Sequence, residues 1–189
     1  ALENFEFNVE EFEEQIDRFL DMFAQAMAEQ KLDEVVKRME KMVEEQTKIV
    51  EEMNQEDDTN MKDLASRERL QEESFSNLDE AMSEAVAAME KKAPEPAQAL
   101  SSLAESELNE ETEQLLNEAR KAMQNQNPSK ASDAAGKAQT NLAEMLDQVQ
   151  QIQDEFQSQT VMEMLIEFQR VIQSLLTISQ SQEELSRTS

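Results

Sequence analysis

Four residue types that often carry chemistry or anchor a core are absent: the chain has no cysteine, histidine, tryptophan or tyrosine. Without cysteine there is no disulfide and no thiolate site, which is compatible with either redox compartment. Without histidine, the Glu-x-x-His pairs of a di-iron bundle cannot be assembled. Glycine occurs once and proline three times in 189 residues, where glycine alone usually runs near 7%. A sheet protein of this size would need many more turn residues, so nearly the whole chain is expected to be helical. Bases are scarce as well: 17 against 43 acids, a formal charge of -26. Such a surface repels nucleic acid and anionic lipid headgroups, and suits a basic partner or weakly held divalent cations. No stretch reaches 18 apolar residues, so no membrane insertion is expected within this sequence. The opening Ala1-Leu2-Glu3-Asn4-Phe5 lacks the basic start of a signal peptide. The absence of an initial Met and the ending Arg187-Thr188-Ser189 point to a piece of a longer protein.

What is present is helical periodicity. Asn8 can cap a first helix, with Glu11 returning the capping-box bond and Phe7 and Phe12 placed as a hydrophobic staple. Phe12, Ile16, Phe19, Phe23 and Ala26 form one stripe, which falters at Glu29-Gln30-Lys31. A second stripe follows through Leu32, Val36, Met39, Val43, Gln46, Val50 and Met53, ended by the acidic patch at 56–60. A third helix is expected over 61–92. Its second half is regular (Phe75, Leu78, Met82, Ala85, Met89), but its first half puts Glu68 and Gln71 at core-phase positions. Such a half is either shallowly packed or turned toward a partner.

Ala93-Pro94-Glu95-Pro96 is the strongest break, because each proline favours extended backbone before it. A fourth helix carries Leu108, Thr112, Leu115, Ala119 and Ala122 and ends at Asn125-Gln126-Asn127. Pro128 opens a fifth, where its missing N–H costs nothing. The stripe Ala131, Ala135, Ala138, Leu142, Met145, Val149, Ile152, Phe156 runs from small to large, so two helices can approach closely near its start. A break at Ser158-Gln159-Thr160, capped by Thr160 with Glu163, precedes a last helix bearing Val161, Leu165, Phe168, Ile172, Leu175, Ile178 and Leu185. The expected fold is therefore all-α: an antiparallel bundle of about six long amphipathic helices. It is one helical region over 1–189, with a possible subdivision into three-helix units at 1–92 and 97–189 about Pro94 and Pro96. The similar helix ends at 26–30 and 122–126 fit a duplication.

The motifs that mimic chemistry do not hold up. Gly136-Lys137 is followed by Ala138, Ala131 stands where a phosphate loop needs glycine, and no strand precedes it. Gly136 is either a tolerated helix glycine or a close approach to a third helix. The methionines at helical spacing read as core filling rather than a copper site. Nothing marks any pair among the 43 acids as a catalytic pair. No enzyme activity and no cofactor are expected. The candidate contact residues are Glu68, Gln71, Ala131, Ala135, Gly136 and Ala138.

Two stretches, Leu175-Leu176-Thr177-Ile178-Ser179-Gln180-Ser181-Gln182-Glu183-Glu184-Leu185 and Asn127-Pro128-Ser129-Lys130-Ala131, carry a resemblance. They resemble the helical, Gln- and Glu-rich region of large uncharacterised bacterial membrane-anchored envelope proteins. The resemblance supplies no catalytic residues and implies a location in the bacterial envelope. Three functions remain open: a structural or interaction domain presenting an acidic surface to a protein partner or to the rest of its parent chain; a chaperone-like or lipid-handling bundle that exposes its Met- and Phe-rich stripe; and a component of a phage or secretion assembly.

Overall fold

The computed structural model describes the backbone of residues 9–55 and 60–188, with side chains described chiefly over 16–55 and 60–166. The expected Asn8 cap, Glu11 box, Phe7–Phe12 staple and Glu56–Thr59 acids lie outside the described residues. So do the side chains of Glu163, Phe168, Ile172, Leu175, Ile178 and Leu185.

Five helices are described: α1 (Val9–Met53), α2 (Met61–Met89), α3 (Pro94–Ala104), α4 (Glu107–Gln124) and α5 (Pro128–Thr188). Their boundaries follow local chemistry. Asn60 caps α2, its side chain accepting from the Lys62 and Asp63 amides at 3.2 and 3.3 Å. Pro94 starts α3 without a side-chain cap. Ser106 caps α4, accepting from the Asn109 amide at 3.2 Å. α4 ends in a Schellman motif: the Asn127 amide donates to the Ala122 carbonyl at 2.9 Å and the Gln126 amide to the Met123 carbonyl at 3.1 Å. Gln126 takes the left-handed position at φ 54, where glycine is usual. Pro128 then opens α5, with the Asn127 side chain accepting from the Lys130 amide.

Six separate helices are not what forms. α1 runs unbroken through Glu29-Gln30-Lys31, and α5 runs unbroken through Ser158-Gln159-Thr160. Neither place holds a glycine, a proline or a working cap. Thr160 donates its hydroxyl to the Gln157 carbonyl one turn back instead of starting a helix. The expected fourth helix divides at Glu105-Ser106, where Ser106 competes for the backbone: its hydroxyl donates to the Leu103 carbonyl at 2.7 Å.

Packing gives four legs: α1, α2, the pair α3–α4, and α5. Contacts run in opposite order along neighbours. Lys31 meets Glu84, Arg38 meets Asn77, and Gln46 meets Glu68 between α1 and α2. Asp79 and Glu72 meet Asn109 and Arg120 between α2 and α4. Gln139 and Gln150 meet Thr47 and Glu40 between α5 and α1. Adjacent legs are thus antiparallel, as short connections require. A single core cluster draws from every leg, from Ala28 and Leu32 on α1 to Phe156 on α5, so the helices do not sort into separate three-helix units. Asn109 braces the kinked third leg, its amide donating to Ala104 of α3 at 2.6 Å and to Asp79 of α2 at 3.1 Å.

Lengths do not match. α2 has 29 residues and α3 with α4 covers a similar span, whereas α1 has 45 and α5 has 61. At 1.5 Å per residue these are about 43, 68 and 92 Å. The surplus of α1 and α5 lies at one end, because α1 contributes its N-terminal part and the antiparallel α5 its C-terminal part.

Candidate functional site

The projecting end is where the sequence pattern changes phase. Within the bundle, α1 buries Ala28, Leu32, Val35, Met39, Met42, Gln46 and Ile49 at alternating steps of four and three. Stepped backwards, the same face carries Gln25, Asp21 and Arg18, all polar. Asp21 forms an ion pair at 2.7 Å with Lys92 from the turn after α2, so the bundle end is closed by charge. The apolar residues Ile16, Phe19, Leu20, Phe23 and Met27 lie about a third of a turn round the helix. They continue the side of Lys31, Arg38 and Glu45, which meets α2 lower down. Lys31 pairs with Glu84 shortly before α2 ends at Met89, so Leu20 and Ile16 lie past the end of α2, 56% and 43% exposed. Phe19 is 64% exposed and Phe23 58%.

α5 repeats the pattern. Its apolar core series ends at Phe156; the buried position that follows, Thr160, is polar, and its neighbour Gln159 donates to Glu95. Val161, Met162 and Leu165 lie off that face, and Leu165 is 54% exposed. Ile166 is 45% exposed. Ten large apolar side chains thus stand in solvent at one end, against Leu70 elsewhere among the described residues. Together they offer on the order of 1,000 Å² of apolar surface, divided between the two helices. Glu13, Asp17 and Asp21 are exposed along the same stretch of α1.

The residues singled out from the sequence lie at the other end, inside the bundle. Glu68 is fully buried and Gln71 nearly so; neither faces outward toward a partner. The Gln46 amide donates to both Glu68 carboxyl oxygens, at 3.2 and 3.3 Å, and to the Ala135 carbonyl at 3.4 Å. Gln71 donates to the Met42 carbonyl at 2.8 Å, and Gln139 to Thr47 at 2.9 Å. A polar layer therefore crosses α1, α2 and α5. The small, buried Ala131, Ala135 and Ala138 let the α5 backbone come within reach of Gln46. Gly136 is not part of that approach: a Cβ placed there would meet nothing within 4 Å. Burial pushes the Glu68 carboxyl up to about 8; the Gln46 amide opposes the shift, Glu72 adds to it and Arg67 opposes it.

Bases gather in a groove of about 720 Å³ between α1 and α2, lined by Arg38, Lys41, Lys48, Arg67 and the exposed Leu70. Most of its charge is already met. Arg67 sits 2.7 Å from both Glu45 and Glu52, Arg38 holds Glu34, and Lys48 holds Glu44 at 2.7 Å. The bond from Arg38 holds the Glu34 carboxyl below its ordinary range, and Glu44 raises Lys48. The groove is thus near neutral. Among the described residues, no group of three or more acids, histidines or cysteines is placed to hold a metal ion, and no helix is long and apolar enough to cross a membrane.

Sequence reasoning missed the projecting end. Its signal was available: the apolar phase slips at 29–31 and again at 157–160 without a helix stop. Compared with protein-family models, with curated proteins and with solved structures, the chain matches none.

Proposed function

We propose that this is a non-enzymatic helical interaction domain: a four-legged stem that carries two apolar helix faces at one end, the one on α1 flanked by acids. The observation that carries the reading is the change of phase in both projecting helices. An amphipathic helix buries its apolar stripe against whatever it packs on. A stripe that leaves the phase of its own bundle's core, while the helix continues, is shaped for a surface outside that bundle. The partner that fits is an amphipathic helical segment of another polypeptide with basic residues beside its apolar face, since the formal charge is -26 and exposed acids border the α1 stripe. Self-association, as in a phage or secretion assembly, would bring two strongly acidic surfaces together. The resemblance of the 175–185 and 127–131 stretches supports placing the domain in a bacterial membrane-anchored envelope protein.

The test is titration of this chain with fluorescent synthetic helices that share one apolar face and differ in flanking charge. Binding of the Lys-flanked helix at least tenfold tighter than the Glu-flanked one, lost in a Phe19→Ser, Phe23→Ser double variant of unchanged stability, supports the reading. Absence of binding, or binding indifferent to that variant, overturns it. A second reading, a chaperone-like surface, is favoured by the methionines among the exposed residues (Met22, Met27, Met162), which suit adaptable contacts. It requires equal binding of both helices and of unfolded chains.

A further inference from the structure

We propose that Glu68 and Gln46 form a proton-dependent clasp between α1 and α2: a neutral carboxylic acid paired with a primary amide, which loosens the narrow end of the bundle when the acid loses its proton. The geometry points to this from two directions. Glu68 is fully buried, and what it meets is the Gln46 amide nitrogen, at nearly equal distances from both carboxyl oxygens. The Gln46 carbonyl oxygen is also buried and lacks a hydrogen-bond partner. An ionised carboxylate has no proton to offer that oxygen. A protonated one has: its O–H donates to the Gln46 carbonyl while the Gln46 N–H donates to the remaining acid oxygen. A rotation about the terminal torsions of the two side chains closes the pair, and the orphaned acceptor is satisfied.

The surrounding charges do not supply a counter-ion. On α2, Arg67 is committed to Glu45 and Glu52 of α1, and Glu72 is committed to Arg120 of α4. α5 brings the Ala135 carbonyl, another acceptor, which shares the Gln46 N–H. A charge on Glu68 is therefore faced by one amide N–H group, the carbonyl dipole of Ala135 and apolar alanines, an expensive setting for an anion. The pair spans α1 and α2 at the level where α5 presents its small residues Ala131, Ala135 and Ala138, beside the Arg67–Glu45 and Gln71–Met42 links. The position fits a register device of the kind that single buried polar residues supply in coiled coils.

The experiment is a pH titration of the Glu68 carboxyl carbon by NMR in the intact chain, assigned by comparison with Glu68→Gln, together with denaturant unfolding of both proteins from pH 5 to 9. The clasp predicts a carboxyl that stays protonated at pH 6 and titrates near 8. It also predicts a wild-type unfolding equilibrium that shifts by up to about tenfold per pH unit over that interval, beyond any shift of Glu68→Gln. A carboxyl titrating in the ordinary range, or equal pH slopes in the two proteins, overturns it. If Glu68→Gln does not fold, the assignment rests on the signal shared with no exposed glutamate, and the wild-type titration decides alone.

Discussion

The body of the bundle and its projecting end are built from the same two helices, yet they treat apolar residues in opposite ways. Within the body, α1 and α5 bury Leu32, Met39, Ile49, Met145 and Phe156 against the other legs. Past Ala28 on one helix and Phe156 on the other, Phe19, Phe23, Val161 and Leu165 stand in solvent. Composition does not distinguish the two regions, and helix continuity does not either. Phase does. An apolar residue is part of the core when it lies on the face that already holds the core, and the stripes of the projecting end do not. The boundary of the bundle is thus set by a rotation of the apolar series, supported by the Asp21–Lys92 pair that occupies the old core face.

That contrast can be broken most forcefully by truncating large side chains on each side of the boundary. Phe75→Ala, in the body, is expected to cost about 3–5 kcal/mol of unfolding free energy. Phe19→Ala, in the projecting end, should change it by less than about 0.5 kcal/mol. Urea denaturation of both variants checks the pair.

A second contrast lies within the body, between its apolar layers and the layer at Glu68. The unfolded carboxyl has its ordinary value of 4.5, whereas the folded one is raised to about 8. Between those values the folded state holds a proton that the unfolded state gives up, so this contribution is fully present below about pH 4.5 and is lost as pH rises through about 8. The surface glutamates Glu34 and Glu44 are lowered by Arg38 and Lys48, so their contributions are lost in the opposite direction, as pH falls. They are exposed and contribute little. A midpoint of unfolding that declines from pH 5 to 9 in the wild type, and less steeply in Glu68→Gln, is the expected result.

Smaller effects sharpen the account of the turns. Asn60→Ala removes the acceptor for two amides at the start of α2 and should cost about 1 kcal/mol. Gln126→Gly relieves a left-handed residue and Gly136→Ala adds helix propensity in open space; each should stabilise by about 0.5–1 kcal/mol. Thermal melts monitored by circular dichroism would rank these three.

Much of the architecture was legible because it rests on local rules. Scarce glycine and proline announced helix, Pro128 and Asn125-Gln126-Asn127 marked a turn, and the series from Ala131 to Phe156 named the buried face of α5. The helix count was not legible, for a physical reason. A lapse in periodicity at 29–31 and 158–160 is not a helix stop: Glu29-Gln30-Lys31 are good helix formers, and Ser158-Gln159-Thr160, with weaker propensity, carry no glycine, proline or working cap. The division at Ser106 was hidden because Leu108, Thr112 and Leu115 keep the stripe in phase after it. Glu68 and Gln71 looked like a polar edge turned to a partner, since sequence alone does not show the Gln46 amide and Met42 carbonyl that receive them. The projecting stripes are legible in the sequence as stripes, but periodicity reports an apolar face without reporting what covers it.

The most direct test is amide hydrogen exchange along α1 in the isolated chain. The account predicts strong protection over residues 28–53 and weak protection over 16–27, with the lower level rising when a basic amphipathic helix is bound. Uniform protection along the whole of α1 in the unbound monomer would contradict it.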